Sequence, residues 1–237
     1  MPLINQNEQK AGKYMGTQIK ITAEDGHQFD AYMAESNGTA HGAMIVIQEV
    51  FGVNSHIRSV ADDYSKQGYH SIAPALFDRV QPNVELSYNA EEGKRGMGMA
   101  TQIGMDNMMK DVAASIKQAR QQWSSLKVGV VGFCLGGSLA WLAATRLKPD
   151  AAVGYYGGRI AQSANETPRC PVMLHFGAKD AHISTKDIDT IRQAHPEIPI
   201  FLYDAGHGFN CDQRKDYEPH SANLARQRTL EFFEKNL

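Results

Sequence analysis

Cysteine is scarce in this sequence: three residues in 237, Cys134, Cys170 and Cys211, with no CxxC pair. So few, so widely spaced and odd in number, they exclude a disulfide framework and a cysteine-rich zinc site, and they suit a reducing compartment. An excess of either charge is missing too. Lys and Arg number 24 against 26 Asp and Glu, a net charge of −2, so there is no basic footprint for nucleic acid or an anionic membrane surface. The first ten residues (MPLINQNEQK) lack the apolar run of a signal peptide, and residues 1–16 read as a flexible N-terminal segment. The longest uncharged stretch, residues 128–145, only reaches the lower limit of a membrane span. Gly129, Gly132, Gly136 and Gly137 interrupt it, which suits a buried strand, a turn and a buried helix. These absences predict a cytoplasmic protein without membrane or nucleic-acid partners, monomeric or a small homo-oligomer.

The remaining composition is that of a globular protein, 42% hydrophobic and 21% charged. A chain of this length fills one α/β domain, so residues 1–237 are expected to form a single domain. Two alternating segments open it, Ile19 and Ile21, then Phe29, Ala31 and Met33, with Asp25-Gly26 between them as a hairpin turn. Residues 43–47 (AMIVI) are continuously apolar, as a parallel strand covered on both faces must be. Ile57, Val60, Ala61 and Tyr64 recur at helical spacing, and Ser71-Ile72-Ala73 reads as a short strand stopped by Pro74. Residues 81–101 carry no readable period. From Met105 to Trp123 one long amphipathic helix is predicted, on Met105, Met109, Val112 and Ile116. Strands at 128–131, 151–156, 172–176 and 200–203 then alternate with helices at 138–147, 186–194 and 221–235. An N-terminal β-hairpin followed by β–α units predicts a mostly parallel sheet with helices on both faces.

The sharpest chemical signal is Gly132-Phe133-Cys134-Leu135-Gly136, set between an apolar strand and a helix of small residues. A nucleophile on such a turn takes a strained backbone and needs small neighbours. The helix N-terminus behind it favours a thiolate and a developing oxyanion, for which the Leu135 amide is a donor. In this architecture an acid and then a histidine follow the nucleophile. Asp180, in Gly177-Ala178-Lys179-Asp180, and His207, in Ala205-Gly206-His207-Gly208-Phe209, each fall on a loop at the carboxyl end of a strand, where parallel sheets place their sites. Either residue alone reads more readily as a solvated loop side chain than as a functional one; the joint order reverses that and favours function. His175 and His182 read as structural, and no HxxxH or similar spacing marks a metal site. Five methionines between 97 and 109 fit the buried face of a helix better than a pocket lining.

Gln48-Glu49-Val50-Phe51-Gly52-Val53-Asn54, Gly132-Phe133-Cys134-Leu135-Gly136-Gly137 and Ala205-Gly206-His207-Gly208-Phe209 together resemble the dienelactone hydrolase family, over nearly the whole chain. The resemblance implies an α/β-hydrolase fold and cleavage of small-molecule enol-lactones or esters without a cofactor or metal. It implies Cys134 as nucleophile, His207 as base and Asp180 as its orienting acid. Glu49 matches a glutamate beside the resting thiol that helps to deprotonate it, and the Val50 amide matches a second oxyanion donor. A carboxylate ending an apolar strand is costly unless it is paired or at the mouth of a site, which agrees with a role for Glu49. The family holds a substrate carboxylate with two arginines. One of those positions, four residues after His207, is Cys211 here. Arg95 answers to the other, with Arg79 and Arg214 as substitutes, and Phe51 lies in the same substrate-binding group. A thiol cannot grip a carboxylate as a guanidinium does, so the triad is better marked than the substrate. Simple esters or thioesters, or a redox-sensing or non-catalytic thiol on the same scaffold, remain as alternatives; a sensor has no need of the acid.

Overall fold

The computed structural model describes residues 15–237, so the expectation for residues 1–16 lies almost wholly outside the described residues. Asp25-Gly26 turns the chain between β1 (Thr17–Thr22) and β2 (Gln28–Ala34), paired antiparallel as the hairpin pattern requires. Thereafter the strands are β3 (Gly42–Ile47), β4 (Tyr69–Pro74), β5 (Val128–Phe133), β6 (Ala151–Tyr155), β7 (Val172–Gly177) and β8 (Ile200–Tyr203). All eight join one sheet in the order β1-β2-β4-β3-β5-β6-β7-β8, parallel from β4 onward. β3, β5, β6 and β7 are buried at every residue, which is why their sequences show no alternation.

Helices cover both faces. α1 (Ser55–Lys66) and α6 (Pro219–Asn236) lie together, with the Tyr64 and Phe233 rings edge to face at 6.3 Å and Arg226 paired to Asp63. α3 (Met105–Gln122) and α4 (Leu135–Arg146) pack on the opposite side. α4 is buried from Leu135 to Thr145, so it has no polar stripe to read. α5 (Thr185–Ala194) starts on a capping box between Ser184 and Asp187. Among the described residues no helix is long and apolar enough to cross a membrane.

One expectation is corrected and another is met. The region without a readable period holds α2 (Ala90–Ile103), which Asn89 caps through the Glu92 amide. The helix predicted from Met105 to Trp123 is present as α3, separated from α2 at Gly104 with φ of 76°. The methionines divide between them: Met99, Met108 and Met109 are buried and Met97 is exposed, so most of the group fills the core.

The fold hangs on the turn between β5 and α4. A Cβ at Gly136 would lie 2.3 Å from the Ile47 carbonyl oxygen and 2.6 Å from that of Gln48, both backbone atoms of the neighbouring strand end. Gly136→Ala must push α4 off β3, and overpacking of this kind costs about 1–3 kcal/mol. A fall in Tm of roughly 2–10 °C is expected by calorimetry. Gly98→Ala, in α2 with open space around the glycine, is the control and should leave Tm level or slightly raised. Equal melting of both variants would show that the turn tolerates a shift.

Candidate active site

Four strand ends meet at one edge of the sheet. β5 ends at Phe133 and α4 begins at Leu135, leaving Cys134 alone in the turn with φ 54° and ψ −111°. That is a costly conformation for a residue with a Cβ, of the sort that persists only where its surroundings impose it. Here the Cys134 amide donates to the Tyr155 carbonyl at 3.0 Å and its carbonyl accepts from the Ser138 amide at 3.2 Å. A Cβ at Gly132 would fall 1.9 Å from the Gly136 carbonyl oxygen, so the turn closes only with glycine there. Leu135 is the first residue of α4, and its N–H has no acceptor within the helix.

Beyond β7, the Ala178 and Lys179 amides donate to the Tyr203 and Ala205 carbonyls, tying the acid loop to the end of β8. The Asp180 carboxylate is fully buried. Its Oδ1 accepts from the His182 amide at 2.8 Å, and its Oδ2 lies 2.7 Å from His207 Nδ1. The other ring nitrogen of His207 is 3.2 Å from Cys134 Sγ. The structure thus brings Cys134, His207 and Asp180 into one hydrogen-bonded line. Asp204, the other acid in reach by sequence, is exposed and paired with Lys179.

Burial alone would push the His207 imidazole down. The hydrogen bonds to Asp180 and Cys134 outweigh it and lift the group to about 10. Burial likewise works against the Asp180 carboxylate, but the His207 partner and the His182 amide hold it below its ordinary range. Both directions describe the same arrangement, a carboxylate facing an imidazole that keeps its proton.

Glu49, just past the end of β3, is fully buried. Its Oε1 accepts from Arg214 Nη1 at 2.9 Å, and its Oε2 has no partner among the described residues. The carboxylate is therefore held by a cation. Arg214 also lies 5.7 Å from the Phe51 ring centroid and 5.9 Å from that of Tyr88. It brings a guanidinium to the side of the site where Cys211, itself fully buried, supplies none. Tyr88, Leu86 and Asn54 with Asn89 and Gln213 line an adjoining cavity of about 470 Å³.

The other two expected arginines already have side-chain partners. Arg79 is locked between Asp111 and Asp25, with bonds to Asp111 of 2.7 and 2.8 Å, so its guanidinium is already occupied. Arg95 reaches Gln81 and Glu92 on the outer side of α2. Val50 and Phe51 sit under α2, where the Val50 carbonyl passes so close that a Cβ on Gly96 would be 1.7 Å from it. Two contributors escaped the sequence reading. Tyr156 packs edge-on against His207 at 5.1 Å with φ of 37°, and the His182 ring does the same at 5.0 Å while its amide serves Asp180. Only the position of Tyr156 just after a strand end, in register with the other loops, could have signalled it.

The chain is similar to several known proteins. The sequence model of the dienelactone hydrolase family matches residues 29–237. A carboxymethylenebutenolidase of Pseudomonas putida is 32% identical over 222 residues, covering 90% of this chain and 94% of the relative. Carboxymethylenebutenolidase 1 of Cupriavidus pinatubonensis is 29% identical over 221 residues, covering 90% and 94%. A solved structure from Klebsiella pneumoniae subsp. pneumoniae superposes with a TM-score of 0.78 at 26% identity, over 92% of this chain and 98% of its own.

Proposed function

The chain belongs to the dienelactone hydrolase family and is a hydrolase of ester or lactone bonds; on that premise we propose that it works through a Cys134–His207–Asp180 triad and a thioester acyl-enzyme. The observation that supports this reading is His207 within hydrogen-bond distance of both the Cys134 sulfur and a fully buried carboxylate. In the first half-reaction His207 already holds the proton given up by Cys134, and the sulfur attacks the carbonyl carbon. The oxyanion is held by the Leu135 amide, with the Val50 amide as second donor. The ring C–O bond then breaks, and His207 gives its proton to the leaving oxygen, leaving a thioester. In the second, His207 takes a proton from water and keeps it, hydroxide attacks the thioester, and the Cys134 sulfur leaves as an anion beside the protonated ring. The product is the ring-opened hydroxy (or oxo) acid. Asp180 keeps the imidazole oriented and charged when it must be.

The substrate class follows from charge. The carboxymethylenebutenolidases named above act, by name, on a butenolide carrying a carboxymethylene group. Arg214, steered by Glu49 and flanked by Phe51 and Tyr88, is positioned to take such a carboxylate in place of the arginine absent at Cys211. The test is hydrolysis of an anionic lactone and its methyl ester, alongside an aryl ester and a thioester, by wild type and Arg214→Met. Loss of a charged partner from a desolvated pair costs about 2–5 kcal/mol, so kcat/KM for the anion should fall by roughly 30-fold or more relative to the methyl ester. Taking the ratio removes any general damage from leaving Glu49 unpaired. An unchanged ratio would show that another group binds the carboxylate. A wild type inactive on every lactone and ester would sink the hydrolytic reading itself.

A further inference from the structure

We propose that Glu49, His56 and Cys211 form a binding site for a divalent cation of the zinc class. These three come from separate parts of the chain: the end of β3, the first turn of α1 and the loop before α6. A carboxylate oxygen, a ring nitrogen and the thiol sulfur nevertheless lie within 4.8 Å of one another, and all three residues are buried. Among the described residues they are the one such cluster of at least three ligating side chains. No local spacing such as HxxxH marks it, because the site exists only once the sheet has assembled.

Two independent features point to an ion. The first is unpaired polar atoms: Glu49 Oε2 and His56 Nε2 are both buried without a partner. Each such atom costs about 1–3 kcal/mol, and an ion between them would satisfy both. The second lies outside the cluster. His56 Nδ1 is 3.3 Å from Asp212 Oδ1, next to Cys211 in sequence. A ligating histidine that holds a carboxylate through its other nitrogen is the usual outer arrangement at zinc sites, since it fixes the tautomer and raises the donor strength of the free nitrogen. The ligand set, one thiolate, one imidazole and one carboxylate, suits a borderline-soft ion and leaves a fourth position for water.

Charge permits it. On binding, the Cys211 thiol releases its proton to solvent and donates a sulfur electron pair. Glu49, Cys211 and Asp212 then carry three negative charges against one positive charge on Arg214, and the resulting −2 matches a divalent ion. Arg214 holds Oε1 of Glu49, and Oε2 is the oxygen left for the metal. Closing ligands that stand up to 4.8 Å apart around an ion with bonds of about 2.0–2.3 Å requires only small side-chain movements. Glu49 would then be shared, one oxygen on the guanidinium and the other on the ion.

The experiment is a titration of chelator-stripped protein with Co2+, read by the thiolate-to-cobalt charge-transfer absorption, with Zn2+ as competitor. One ion per chain is expected, displaced by Zn2+. The band should survive in Cys134→Ser, which removes the sulfur of the triad, and vanish in Cys211→Ser. His56→Gln should weaken binding at least tenfold. Asp212→Asn changes only an exposed carboxylate, so the buried core is undisturbed, and it should weaken binding about tenfold. A band that disappears with Cys134 or Cys170 instead, the absence of saturable binding, or wild-type affinity in both His56→Gln and Asp212→Asn would overturn the proposal. None of these readings depends on hydrolysis.

Discussion

Replacing Cys134 with alanine is expected to lower kcat/KM for lactone hydrolysis by a factor on the order of 10^4–10^6, while the protein still melts cooperatively. The strained turn is held by the backbone bonds of residue 134 to Tyr155 and Ser138, and alanine meets the same backbone demand with a smaller side chain. What remains is binding and the oxyanion donors, which act without a nucleophile. Cys134→Ser should recover little, because an alkoxide is far harder to form than a thiolate. In the wild type, acid quenching during turnover followed by intact-mass measurement should find the acyl group on the peptide containing Cys134. A correctly folded Cys134→Ala protein with full activity would dismiss the nucleophile.

The next largest effect belongs to Asp180→Asn, with an expected loss in kcat of about 10^4-fold. The amide cannot act as an anion towards imidazolium, and it favours the wrong tautomer at His207 Nδ1. The pH behaviour gives a separate check. In the folded wild type the His207 group is raised to about 10 from its ordinary 6.5. The stability contributed by its partners is therefore complete below 6.5 and is lost as pH rises through about 10. Removing the carboxylate should lower the midpoint of the His207 ring by about 1–3 units, followed by NMR. The alkaline loss of stability should start correspondingly earlier. For Asp180, held below its ordinary range, the sign is opposite: its contribution is present at neutral pH and disappears as pH falls. A ring midpoint and a kcat both unchanged in Asp180→Asn would leave that carboxylate a mere fixture of the loop.

Much of this was legible because the chain is locally consistent. Apolar runs without alternation became the buried parallel strands, and Asp25-Gly26 became the hairpin turn. Placing Cys134, Asp180 and His207 on loops after β5, β7 and β8 needed only strand ends and chain order. α2 was not legible, since Gly93, Gly96 and Gly98 read as breakers. At Gly96 the missing side chain serves a tertiary need, the close passage of the Val50 carbonyl, that no window of sequence contains. Arg214 shows the same limit. Its partner Glu49 lies 165 residues away, and nothing local distinguishes it from Arg79, whose guanidinium is taken by Asp111.

His175 lies beneath the site in β7, wholly buried, with its two ring nitrogens on the hydroxyls of Tyr203 and Thr229. Burial, aided by the positive charge of Arg228, keeps it from taking up a proton until pH falls to about 3. Its hydroxyl partner Thr229 also meets Tyr155, so the bonded floor runs from α6 to the strand beside Cys134. For the kineticist this is a spectator. A second buried histidine would ordinarily blur any inflection in a rate profile, yet this one contributes no step across the working range. An inflection measured near neutrality must then be sought among the groups lining the mouth of the site rather than in the foundation on which they stand.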